Sequence, residues 1–118
     1  MNKIYYLSTC DTCKRIISEL GVKEKNFELQ DIKTEKITPA QLSEMKALAG
    51  NYEALFSRIA RKYKELNLGS KTLTEADYKK YILEEYTFLK RPVIIINDYV
   101  FIGNSKSTLQ QVKEALSR

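Results

Sequence analysis

The chain contains no histidine among its 118 residues. This absence excludes Cys-His and Ser-His nucleophilic catalysis and every metal site with an imidazole ligand. Cysteine is scarce as well, because Cys10 and Cys13 are the only two. Two cysteines are too few for a disulfide framework, which agrees with a reducing compartment. A zinc site takes about four ligands, so these two cannot close one within a single chain, and we expect no bound metal.

Long apolar segments are missing too. No run approaches the roughly 20 apolar residues of a membrane-spanning helix, so we expect no membrane association. The N-terminus lacks a basic region followed by a long apolar one, as a secretory signal would have, and we expect a cytoplasmic protein. The net charge of +5 is too diffuse to predict direct binding of nucleic acid, although it suits an anionic substrate or an acidic partner.

The start of the chain follows the order strand, loop, helix, strand. Residues 3–7 (KIYYL) are apolar and aromatic and predict a buried strand, and residues 26–31 (NFELQD) alternate as a second strand does. Between them, apolar side chains recur at helical spacing over residues 13–20, and Gly21 is a suitable helix end. The pattern therefore predicts a βαβ unit with both cysteines at the turn from strand to helix.

The middle of the chain has helical patterns. Two of them open with a threonine followed three residues later by a side chain that can bond back to the backbone. These pairs are Thr38 with Gln41 and Thr74 with Asp77. Another helical pattern covers residues 52–66, with a break allowed near Ser57.

The C-terminal part returns to strands. The β-branched run at residues 93–96 predicts a strand buried on both faces, and residues 99–102 predict its returning neighbour. Ser107 with Gln110 then predicts the cap of a last helix.

The order of elements is β-α-β, helices, β-β-α, and without its helical middle this is the thioredoxin arrangement. We therefore predict one α/β domain with a thioredoxin-like fold, a mixed sheet and an inserted helical lobe. The predicted core covers about residues 1–37 and 89–118, and the lobe about residues 38–88.

The spacing of Cys10 and Cys13 at a strand-to-helix turn favours a redox pair. The thiolate is the reactive form, and a helix N-terminus lowers the pKa of a thiol there through its backbone N–H groups and its dipole. Cys10 is thus the predicted nucleophile, and Cys13, one turn into the helix, the predicted resolving thiol. The alternatives are a metal clip shared between two chains, a structural disulfide across a tiny loop, and two inert thiols.

Other candidate site residues are polar, basic or conformationally special. Thr9 and Thr12 can donate hydrogen bonds to a bound oxyanion, or simply cap the turn. Arg58 and Arg61 lie three apart and would share a face toward the cysteines if both were on one helix; a solvated surface is the alternative. Pro92 cannot donate to a sheet ladder and suits the start of a strand.

Three segments together resemble the arsenate reductase (ArsC) family and its Spx-type relatives. They are YYLSTCDTC at residues 5–13, LFSRIARKYKELNL at residues 55–68 and LKRPVIII at residues 89–96. The resemblance implies a thioredoxin-like core that carries an inserted helical lobe. It also implies that Cys10 is the nucleophile, that Arg91 helps to bind the oxyanion, and that Pro92 is cis and lies beside the cysteines.

The chain departs from the arsenate reductases at three positions. Those enzymes use two further arginines, which would fall near Ser57, with Arg58 and Arg61 close by, and near Asn104. The glutaredoxin-linked members lack a cysteine at the position of Cys13, whereas the Spx regulators carry the pair.

We therefore expect a thiol-dependent oxidoreductase, with a redox-sensing Spx-like regulator that binds the RNA polymerase α subunit as the alternative. The expected substrate is an oxyanion or a disulfide. No cofactor is expected to be bound, and the reductant is expected to be external: thioredoxin, or glutaredoxin with a low-molecular-weight thiol. We expect a monomer.

Overall fold

A computed structural model of the chain describes residues 2–117, apart from the side chain of Lys23. The strands are β1 (Asn2–Tyr6), β2 (Glu28–Asp31), β3 (Val93–Ile96) and β4 (Tyr99–Ile102). The helices are α1 (Asp11–Leu20), α2 (Pro39–Ala49), α3 (Arg61–Glu65), α4 (Glu75–Glu84) and α5 (Lys106–Leu116). No helix within residues 2–117 combines the length and the apolar character that crossing a membrane requires.

The chain forms two compact units. The core unit consists of the residues up to Lys36 and from Arg91 onward, and it contains the four strands with α1 and α5. The helical unit is Ile37–Lys90 and contains α2, α3 and α4.

The sheet of the core unit has the strand order β2-β1-β3-β4 and is mixed. The central strand β1 runs parallel to β2, with Ile4 opposite Leu29, and antiparallel to β3, with Ile4 opposite Ile94. β3 and β4 form an antiparallel hairpin whose turn includes Asn97 with a positive φ of 55°. The α/β class and the mixed sheet predicted from the sequence are thereby confirmed.

Helix α1 forms because its apolar residues fall on one face. Cys13, Ile16, Ile17 and Leu20 are buried. Gly21 ends the helix in the left-handed conformation and donates its N–H to the Ser18 carbonyl, as the sequence predicted. The apolar face joins one cluster with side chains of the sheet and of α5; each fully buried side chain of this size contributes about 1.5–3 kcal/mol. The buried members are Ile4, Ile16, Ile17, Leu20, Val22, Ile94, Ile96 and Val112.

The capping predictions had different outcomes. Both capping boxes in the helical unit are confirmed, since the side chains of Thr38 and Thr74 each accept a backbone hydrogen bond at the start of their helices. The predicted cap of the last helix is wrong: Ser105, which has an extended backbone, accepts from the N–H of Thr108, and Ser107 lies inside the helix. The sequence offers serine at both positions, so composition alone does not separate them.

The helical pattern predicted over residues 52–66 is confirmed in part, with the break that was allowed near Ser57. Only a 3₁₀ turn (Glu53–Leu55) and the short α3 are helical there. Between them, Phe56 forms a β-bridge with Leu89, and Ser57 donates its N–H to the Phe88 carbonyl at 2.7 Å. The Phe56 ring packs between aromatic neighbours, with Tyr78 at 4.9 Å and Phe88 at 5.1 Å between centroids. Burial and pairing with a distant segment override the local helical pattern.

Candidate active site

The register of β1 and β3 places the two segments that carry the predicted site residues at the same end of the sheet. β1 and β3 are antiparallel, with Tyr5 opposite Val93, so the chain leaving β1 and the chain entering β3 lie at the same end of the sheet. The first carries Cys10, and the second carries Arg91 and Pro92. The Arg91-Pro92 peptide bond is cis, as the resemblance implied, and the Pro92 carbonyl accepts the N–H of Gly103 at 3.0 Å.

A hydrogen-bonded turn carries the chain from β1 into α1. This segment, the cysteine turn (residues 7–10), is closed by the N–H of Cys10, which donates to the Leu7 carbonyl at 3.0 Å. Cys10 itself is the N-cap of α1, with an extended backbone and no side-chain cap hydrogen bond. Its sulfur is therefore at the N-terminal end of the helix, where backbone N–H groups have no partner within the helix.

The two thiols are both reduced, and they differ in accessibility. Cys10 is half-buried, whereas Cys13 is fully buried within α1. An external substrate can therefore reach Cys10 but not Cys13. The two cysteines have the separate positions that an attacking thiol and a resolving thiol require.

The environment of Cys10 favours its thiolate. Partial burial opposes ionisation, but hydrogen bonds from the backbone and the thiol of Cys13, the positive charge of Arg91 and the backbone N–H of Thr12 together lower the pKa of Cys10. The interactions that act on Cys10 are thus donors and a cation, as expected for a sulfur that works as an anion.

The environment of Cys13 has the opposite effect. Burial raises the pKa of the Cys13 thiol to about 12, and the neighbouring Cys10 adds to the rise, against a weaker opposing hydrogen bond from the backbone of Leu7. Cys13 therefore stays protonated at neutral pH and can donate its S–H to the Cys10 thiolate.

The structure places the other predicted site residues as follows. Thr12 contributes its backbone N–H to Cys10, while the Thr9 side chain is exposed in the cysteine turn. Arg91 is half-buried and acts on both cysteines by its charge. Their roles toward a substrate remain predictions.

Arg58 and Arg61 do not share a helix face, so the geometric basis for that prediction is wrong. Arg58 precedes α3, and Arg61 is the first residue of α3. The Arg58 guanidinium donates to Glu53 Oε2 at 2.8 Å and to the Tyr78 hydroxyl at 3.0 Å. Arg58 thus links two parts of the helical unit, and substrate binding by either arginine remains a prediction.

Sequence reasoning missed Asp31. This residue ends β2 beside the end of β1, and its Oδ1 accepts the backbone N–H of Ser8 at 3.1 Å. An acidic residue at the end of a predicted strand was visible in the sequence. Its partner, 23 positions earlier, was not, because the contact depends on the parallel register.

A metal site does not emerge from the described part of the chain. Within residues 2–117, no group of three or more cysteine, aspartate or glutamate side chains is arranged to hold a metal ion.

The sheet order, the flanking helices and a cysteine pair at the first strand-to-helix turn define a thioredoxin-like protein. Comparison with family models identifies it further: the ArsC family model matches residues 5–112, so the chain belongs to the ArsC family. No curated protein sequence matches the chain.

Solved structures share this fold over nearly the whole chain. An arsenate reductase from Vibrio cholerae has a TM-score of 0.78 at 19% identity, covering 97% of this chain and 96% of its own. The YffB protein has a TM-score of 0.81 at 22% identity, covering 98% and 99%. A Staphylococcus aureus protein solved by NMR has a TM-score of 0.75 at 25% identity, covering 94% and 97%.

Replacing Arg91 should weaken the Cys10 thiolate. Because the positive charge of Arg91 lowers the pKa of Cys10, Arg91→Met should raise that pKa and slow alkylation of Cys10 by iodoacetamide at pH 7 by about threefold to tenfold. Arg91→Lys should lie between this variant and the unmodified protein. Lys25→Met is the matched control, since Lys25 is an exposed cation beyond the opposite end of α1. Equal slowing in Arg91→Met and Lys25→Met would contradict a local role.

Proposed function

We propose that the protein is a thiol-dependent oxidoreductase in which Cys10 attacks an oxidised substrate and Cys13 resolves the product. The observation that carries the proposal is the asymmetry of the two thiols. Cys10 is accessible and has a lowered pKa, while Cys13 is buried one turn away and protonated. A structural disulfide or a pair of inert thiols would not require the two cysteines to differ in accessibility and in pKa.

The proposed cycle balances for a disulfide substrate. The Cys10 thiolate attacks one sulfur, a mixed disulfide forms on Cys10, and the other substrate sulfur leaves as a thiolate. Cys13 then attacks the Cys10 sulfur, and the second substrate sulfur leaves and takes up the proton of Cys13, which releases it as a thiol. The cysteine pair has then given up two electrons and is a disulfide, which an external thiol reduces again. Thioredoxin, or glutaredoxin with a low-molecular-weight thiol, is the proposed reductant.

For an oxyanion such as arsenate, the same two steps apply to arsenic. The Cys10 thiolate attacks arsenic(V), and an oxygen ligand leaves as water after protonation. Cys13 then attacks the Cys10 sulfur, the sulfur–arsenic bond breaks, and the electron pair stays on arsenic as arsenic(III). Arg91 would hold the oxyanion by paired N–H donors. Of the three arginines that the arsenate reductases use, Arg91 is the only one with a matching position in this sequence. Binding of arsenate would lack the other two, which favours a disulfide substrate over arsenate.

A coupled assay tests the proposal. Oxidation of NADPH is followed with thioredoxin and its reductase, and separately with glutaredoxin and glutathione, in the presence of arsenate or of a small disulfide. Turnover that depends on this protein supports an enzyme. If no oxidised substrate is turned over although Cys10 and Cys13 form a disulfide, the reductase proposal is wrong.

The competing proposal is a redox switch that binds the α subunit of RNA polymerase. Binding of that subunit to the reduced and the oxidised protein separates the two roles. Redox-dependent binding without turnover would support the switch.

A further inference from the structure

An acidic residue of the neighbouring strand holds the cysteine turn from the side. Asp31 is the last residue of β2 and pairs with Tyr6, the last residue of β1. Its Oδ1 accepts the backbone N–H of Ser8, the second residue of the turn, at 3.1 Å. The Ser8 side chain also hydrogen-bonds the Asp31 carboxylate. A single carboxylate therefore binds two donors of Ser8.

The Asp31 carboxylate is itself fixed from its own side. It accepts the backbone N–H of Lys33 at 3.1 Å, and the Thr34 hydroxyl lies 3.4 Å from its second oxygen. Slight burial opposes ionisation, but the hydrogen bonds from Ser8, Lys33 and Thr34 outweigh it and hold the pKa of Asp31 below its usual range. The bonds to Ser8 are therefore made by an ionised acceptor, which makes them stronger than neutral ones.

The turn that Asp31 holds reaches both sulfur atoms. Cys10 donates its N–H to the Leu7 carbonyl, and the backbone of Leu7 hydrogen-bonds the sulfur of Cys13. The Cys10 sulfur in turn accepts from the backbone of Thr12 and Cys13. A shift of the turn would change these distances together, because residues 7–10 connect them directly.

We propose that Asp31 is a positioning residue for Cys10: by holding Ser8, its carboxylate fixes the cysteine turn and keeps the Cys10 sulfur against the first backbone N–H groups of α1. The inference rests on the proposed role of Cys10 and adds a residue that touches neither the sulfur nor a substrate. The negative charge of Asp31 and its positioning of the cysteine turn should change the pKa of Cys10 in opposite directions. A nearby negative charge disfavours a thiolate, whereas the positioning that Asp31 provides favours it.

The test is the pKa of Cys10 in four variants, obtained from the pH dependence of alkylation by iodoacetamide and assigned to Cys10 by peptide mass. Asp31→Ala removes the acceptor and should raise this pKa and slow alkylation at pH 7 by about threefold to tenfold. Asp31→Asn keeps an oxygen that can accept from Ser8 and should stay within about twofold of the unmodified protein. Asp31→Glu keeps the charge but displaces the oxygens, and it should slow alkylation. Asp98→Ala, which removes an exposed aspartate from the hairpin turn at the other end of β3, should change nothing.

The outcomes separate positioning from charge and from general stability. A pKa that falls in both Asp31→Ala and Asp31→Asn would show that Asp31 acts by charge and would overturn the inference. An unchanged pKa in a folded Asp31→Ala, with only a lower free energy of unfolding, would overturn it as well. If Asp31→Ala does not fold, the Asn and Glu variants still decide. Alkylation needs neither substrate nor reductant, so the pKa of Cys10 can be interpreted even if the proposed reductase function is wrong.

Discussion

Cys10→Ser should lower turnover of any oxidised substrate by at least about a thousandfold. A serine hydroxyl does not ionise at neutral pH and cannot form a disulfide. The α1 N-terminus and Arg91, which stabilise the thiolate in the unmodified protein, would then have no anion to act on. The coupled NADPH assay measures the loss, and intact mass shows whether any covalent adduct still forms.

Cys13→Ser is the matched variant for this experiment. It keeps the proposed attacking thiol and removes the proposed resolving thiol, so the covalent adduct on Cys10 should accumulate instead of turning over. The gain in intact mass would identify the bound group. Substantial turnover by Cys10→Ser would refute the mechanism, and an adduct mapped to Cys13 in the unmodified protein would reverse the two roles.

Native protein at pH 7 should take up one alkyl group, on Cys10, while Cys13 stays unmodified. The reason is the difference between the two pKa values: that of Cys10 is lowered, and that of Cys13 is raised to about 12. At pH 7 a thiol with a pKa of about 12 has a thiolate fraction on the order of one in a hundred thousand. Burial of Cys13 adds a steric barrier. Peptide mapping after a timed exposure to iodoacetamide measures both sites at once.

The unfolded protein provides the control for this selectivity. In denaturant both thiols have ordinary pKa values, so both should react at similar rates. Equal labelling of both cysteines in the folded protein would contradict the assigned environments.

The same shift predicts how stability depends on pH. Because the pKa of Cys13 is higher in the folded state, the unfolded chain loses this proton first as pH rises. The contribution of Cys13 to the free energy of unfolding should therefore be constant below the ordinary thiol range and should fall between about pH 9 and pH 12. Cys13→Ser removes this part of the dependence, which denaturant titrations at several pH values would show.

Local sequence was sufficient where an element depends on its own residues. The β-branched run of β3 and the apolar face of α1 are complete in the sequence, and Gly21 marks the helix end because it can adopt a positive φ. The position of Cys10 at the start of α1 follows from the predicted strand at residues 3–7 before it and from the apolar face of α1 after it.

Sequence was insufficient where a partner lies far along the chain. Phe56 pairs with Leu89, and Ser57 donates its N–H to the Phe88 carbonyl. Nothing within residues 52–66 indicates that this pairing replaces helical hydrogen bonds there. Arg58 is held by Glu53 and Tyr78, which the spacing from Arg61 does not show. Asp31 belongs to the same group, since its contact with Ser8 exists only once β1 and β2 are paired in register.

The pairing of Ile4 with Ile94 has a consequence for folding during synthesis. The N-terminal β-α-β segment leaves the ribosome first, and until β3 follows, one edge of the central strand β1 has no partner. Closing the long intervening segment costs little more entropy than closing a shorter one, because that cost grows only with the logarithm of length. β3 can pair with β1 only after it has been synthesised, and until then the exposed edge is a site for wrong pairing. We therefore expect a nascent chain that ends between β2 and β3 to be more prone to aggregation than one that already includes β3.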